Sequence, residues 1–71
     1  MTTQAEAIEA LIKLSRDSTA GTAVRCAAAE GLGYVGGSEA RTELLKLMTT
    51  HNAGTDIRSA AARALGHAAK S

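Results

Sequence analysis

The sequence predicts an all-α fold of about four helices arranged as two copies of one unit, and three observations predict it. Shifting the 71-residue chain by 33 positions lays it on itself without a gap, with 15 identities among the 71 − 33 = 38 positions that overlap. Both copies carry apolar residues at helical spacing, and no stretch alternates with the period of a strand. Proline is absent, and small polar stretches containing glycine separate the apolar runs.

The repeat is plain in its best-matched segments. Residues 20–33 (AGTAVRCAAAEGLG) fall on residues 53–66 (AGTDIRSAAARALG), and Leu11, Lys13 and Leu14 fall on Leu44, Lys46 and Leu47. The high alanine content inflates such a match, but the coincident Gly, Thr, Arg, Lys and Leu positions do not depend on it.

A first helix is predicted over about residues 3–15, with Ala7, Ile8, Leu11, Ile12 and Leu14 as apolar positions and Thr3 with Glu6 as a capping box. Residues 16–21 form a polar linker. A second helix over 22–35 carries Val24, Ala28, Leu32 and Val35 on one stripe, which Ala27 and Gly31 widen. Gly36 and Gly37 close a tight turn. A third helix over 38–49 has Ala40, Leu44, Leu45, Leu47 and Met48 as apolar positions, with Ser38 as its N-cap. After a linker over 50–54, a fourth helix over 55–69 presents Ile57, Ala61, Leu65 and Ala68, with Thr55 as N-cap and Asp56 in the first turn. Bulkier helices thus alternate with alanine-rich ones in a single domain over residues 1–71.

Composition limits what such a domain does. Sixteen of the hydrophobic residues are Ala and only fourteen are Val, Ile, Leu or Met, so the core is thin. A chain this short buries roughly 60 to 65% of the surface its unfolded form exposes. The net charge of +1 supplies no strong field for nucleic acid or an anionic membrane. No apolar run approaches the ~18 residues of a membrane span, and the N-terminus lacks the basic and apolar regions of a signal peptide. One cysteine makes no internal disulfide, in keeping with a reducing compartment. A cytoplasmic location is expected.

Several residues invite a chemical reading. Gly31, Gly33 and Gly36 have the GxGxxG spacing of a dinucleotide site. That site needs a strand before the first glycine, whereas a helical run precedes Gly31, and the second copy has Ala64, Gly66 and Ala69. The glycines are therefore read as helix contacts. Cys26 aligns with Ser59 and reads as a small contact residue; with His51 and His67 it offers no spacing for zinc. Arg25 and Arg58 recur in the first turn of their helices, where the dipole disfavours a cation. They are read as structural clamps, with Asp56 or loop carbonyls as acceptors. Tyr34 is the sole aromatic, too little for stacking bases, bilins or flavins. No cofactor, metal or catalytic group is expected.

The run Val24-Arg25-x-x-Ala28-Ala29-x-x-Leu32-Gly33-x-Val35-Gly36 resembles the first helix of a HEAT-like repeat of the short type found in bilin lyases and in bacterial and archaeal scaffold proteins, and Ile57-Arg58-x-x-Ala61-Ala62-x-x-Leu65-Gly66 is its second copy. The Asp-Pro that often precedes the Val-Arg pair is missing here. The resemblance implies an α-α superhelix and a non-catalytic protein-interaction function, with an accessory domain of a bilin or tetrapyrrole lyase as the alternative and nucleic-acid binding as a weaker one. It also implies that the second helix of each repeat lines the partner face. Glu6, Glu9, Lys13, Arg41, Glu43 and Lys46 are the contact residues this selects for a protein partner, set against the plainer reading of Lys13 and Lys46 as members of solvated ion pairs with Glu9 and Glu43.

The register also predicts self-association. The chain begins with a bulky helix lacking its alanine-rich partner and ends with an alanine-rich one, and Ile8 stands where the internal copy has Arg41. Apolar end faces without polar caps point to a homodimer, with pairing of like ends about a two-fold axis as its simplest form.

Overall fold

In the computed structural model, which describes residues 2–50 and 53–70, the chain forms four helices: α1 (Gln4–Arg16), α2 (Thr22–Val35), α3 (Gly37–Thr49) and α4 (Thr55–Lys70). The described residues contain no strand. Alanine-rich α2 and α4 lie side by side as the spine, α3 packs against both, and α1 covers α2. α1 and α3 touch only sparsely.

The capping box forms as expected. The Thr3 N–H donates to Glu6 Oε1 at 2.9 Å and the Glu6 N–H donates to Thr3 Oγ1 at 3.1 Å. The other two expected caps do not form. Ser38 lies inside α3, whose N-cap is Gly36 and lacks a side-chain hydrogen bond. Thr55 is already helical, and the carbonyl of Gly54 accepts the first α4 bond, from the Arg58 N–H at 3.0 Å. Gly54 has φ +88° and its repeat equivalent Gly21, the N-cap of α2, has φ +86°. The left-handed turn that these positions require excludes a β-carbon at little cost only for glycine, so backbone geometry takes precedence over side-chain capping.

Both linkers follow one hydrogen-bond plan without the missing proline. The N–H of Asp17 donates to the Leu14 carbonyl and that of Ala20 to Asp17, while the N–H of Thr50 donates to Leu47 and that of Ala53 to Thr50, each pair 33 residues apart. The first linker adds an Asx turn, in which the hydroxyl and N–H of Thr19 both donate to Asp17 Oδ1.

The core is mostly alanine: Ala28, Ala29, Ala40, Ala60, Ala61, Ala64 and Ala68 surround Leu32, Leu44, Leu47 and Ile57. The expected α2 stripe is only partly right. Ala28 and Leu32 are buried, but Val24 is 44% exposed and Ala27 faces solvent. Their repeat equivalents Ile57 and Ala60 are buried in α4, which packs against both α2 and α3. The glycine reading holds at Gly33. A β-carbon there would lie 2.8 Å from both the β-carbon and the carbonyl oxygen of Ala64, so its absence sets how closely α2 and α4 approach. Gly31 abuts the Leu11 side chain. Both glycines sit inside a helix that follows another helix, which is no setting for a pyrophosphate.

Candidate functional site, the groove between two helices

The sparse contact between α1 and α3 leaves a groove, and its residues come from the faces these helices turn toward each other. One depression of about 450 Å³ is lined by Glu9, Lys13, Glu39, Thr42 and Lys46 over Ile12. A second of about 390 Å³ continues toward the linkers between Ser18, Arg25, Lys46 and Thr50. The two share Arg16, Glu43 and Lys46, and the first two form the septum between them.

That septum is a bidentate ion pair. Arg16 Nε donates to Glu43 Oε2 at 2.7 Å and Nη2 donates to Oε1 at 2.6 Å. Glu43 is 5% exposed, and its carboxylate raises the Arg16 pKa above the ordinary value, chiefly by hydrogen bonding and then by charge. A fork of this kind ties α1 to α3 where apolar packing between them is thin.

Around it the charges alternate. Lys13 pairs with Glu9 one turn earlier at 3.4 Å, both exposed, while Lys46 and Glu39 on the opposite wall make no ion pair among the described residues. Of the six residues selected from the sequence, Glu9, Lys13, Glu43 and Lys46 therefore converge on one groove. Glu43 is its buried anchor and has Arg16, a residue absent from the sequence-based selection, as its partner; the Glu43–Lys46 pairing is replaced by this one. Glu6 is taken up by the cap, where the Thr3 N–H and then its hydroxyl hold its carboxyl below the usual carboxylate range. Arg41 is half-buried and lines neither depression. Sequence reasoning missed Arg16, Glu39 and Thr42. For Arg16 the signal was faint, since its repeat equivalent is Thr49 and repetition cannot mark a bond made once.

The recurrent arginines are clamps, as their repetition suggested. Arg25 Nε donates to the Ser15 carbonyl at 2.9 Å and Arg58 Nε donates to the Met48 carbonyl at 2.8 Å. The acceptors are last-turn carbonyls of the preceding helix, not Asp56. Each cation thus leaves its own unfavourable N-terminus for the negative end of a neighbour. Cys26 is half-buried, His67 stacks with Tyr34 at a centroid distance of 5.9 Å, and His51 lies outside the described residues. Among the described residues, no three His, Cys, Asp or Glu side chains gather as a metal site would require, and no helix is long and apolar enough to cross a membrane.

The family model for HEAT repeats matches residues 8–70. No curated protein and no solved structure matches the chain.

Proposed function

From the premise that this chain belongs to the HEAT repeat family, whose repeats generally serve as non-catalytic protein-interaction modules, we propose that it is a scaffold module binding a protein partner in the α1–α3 groove. The observation that carries this reading is the groove itself: two neighbouring depressions, the one over Ile12 walled by exposed side chains of both signs, on helices joined by the Arg16–Glu43 fork. Lys13 and Thr42 make only exposed local contacts, to Glu9 and the Ser38 carbonyl, and Glu39 and Lys46 are exposed beside them, so all four can exchange water for partner groups without loosening the core. Glu43 acts from beneath by holding the walls at a fixed separation. A surface of alternating charge suits a polar helix or an extended segment with both acids and bases, since complementary pairing selects register.

The same reading includes self-association through the terminal helices, a homodimer being the smallest product, and action in the cytoplasm, where Cys26 stays a thiol. Val24 at 44% and Tyr34 at 81% exposure support an additional contact on the outer side of α2.

Capture from the native source tests the groove. The wild type and the Lys13→Glu/Lys46→Glu double variant are immobilised side by side and bound proteins are identified by mass spectrometry. The reading predicts at least one protein retained by the wild type and lost with the variant, while helicity stays unchanged. Identical captured sets would overturn it.

A further inference from the structure

Gly66 is unused by packing among the described residues. It lies within α4, where glycine lowers helix propensity relative to alanine, and a β-carbon there would meet nothing within 4 Å. Its equivalent one repeat earlier is Gly33, the glycine on which Ala64 sits. The neighbours follow the same rule. Ala29 and Gly33 are buried, Gly33 against Ala64 of α4, whereas Ala62 and Gly66 at the same repeat positions are exposed. The outer face of α4 thus reproduces the α2 face on which α4 sits, and it is exposed among the described residues.

The matching surface is the outer side of α2. Ala60 and Ile57 are buried, and their equivalents Ala27 and Val24 are exposed. We propose that the outer face of α4 in one copy docks on the outer face of α2 in a second copy, continuing the α2–α4 interface head to tail. This rests on the self-association in the reading above and specifies that unlike faces, not like ends, meet.

Charge complementarity supports the register. Within one copy Arg63 pairs with Glu30 at 3.5 Å and His67 stacks on Tyr34, and both pairs are 33 residues apart. One repeat further on, Arg63 meets Glu30 of the second copy and His67 meets its Tyr34, so each acid lies between two arginines and each tyrosine between two histidines. The tight Gly33–Ala64 contact becomes Gly66 against Gly31 of the second copy, where neither helix carries a β-carbon. Ala69 and Lys70 correspond to Thr3 and Gln4 of the second copy, so the last turn of α4 gives way at the junction. Contacts between unlike faces do not close on themselves at two copies and produce open chains or rings.

Light scattering across concentrations up to about 100 micromolar tests this. The wild type should grow past a dimer. Gly66→Leu, which blocks the α4 face, and Ala27→Glu, which blocks the α2 face, should each remain monomeric with helicity intact, because both positions are exposed. Mixed in equal amounts they should form a one-to-one pair and nothing larger, since each retains the face the other lacks. A wild-type dimer that both variants preserve would overturn the head-to-tail contact and leave self-association standing. A wild type that stays monomeric would overturn both.

Discussion

Gly33, Gly66 and Gly31 differ in what a single methyl group would touch. Gly33→Ala drives a β-carbon to 2.8 Å from the Ala64 backbone, which cannot yield as a side chain would. Spreading α2 from α4 should cost about 1 to 3 kcal/mol, more than the helix propensity gained. Gly66→Ala meets nothing and should stabilise the monomer by up to about 1 kcal/mol. At Gly31 the new carbon lies 3.1 Å from Leu11 Cδ2, the movable end of a side chain, so a smaller gain is expected. Urea unfolding of the three variants measures the order. The sequence marks Gly33 and Gly66 as equivalent and cannot separate them, because one is covered by the next helix and the other is not. Exposure of Val24 has the same origin: periodicity assigns a stripe, but only a neighbour buries it.

At the scale of the helix, ends matter more than interiors. Arg25 is half-buried and Arg58 exposed, so Arg25→Met should cost about 1 to 2 kcal/mol and Arg58→Met less, as thermal unfolding would record. Thr3→Ala should cost roughly 1 kcal/mol and fray α1. The cap also predicts a pH dependence. The Glu6 carboxyl is held below its ordinary value, so its contribution is complete above the unfolded-state pKa and is lost as pH falls through the lower folded value. Protection of the first-turn amides of α1, taken relative to their free-peptide exchange rates, should fall on acidification through that range, and much less in Glu6→Gln, whose side chain does not titrate. The capping box was legible because it is a local pattern of two residues. The Gly36 and Gly54 caps were not, since nearby Ser38 and Thr55 satisfy the compositional rule while backbone geometry decides.

Across the whole molecule, a core of alanines around a few leucines leaves little margin. Leu44 is fully buried, and Leu44→Ala should cost about 3 kcal/mol, a large share of the stability of so small a domain. Ile8 and Leu11 pack against this core, so acidic replacements there would unfold the protein as well as alter any association. The HEAT-like character was legible throughout because it repeats. The groove was legible in four of its residues, whereas the Arg16–Glu43 fork, made once and across 27 positions, left no periodic trace. The central claim is that partners bind between α1 and α3, and site-specific photocrosslinking tests it most directly. A photoreactive residue at Thr42, in the groove wall, should yield adducts with another protein that disappear in the Lys13→Glu/Lys46→Glu background, while the same probe at exposed Asp56 should yield none. Adducts from Asp56 with none from Thr42 would contradict the account.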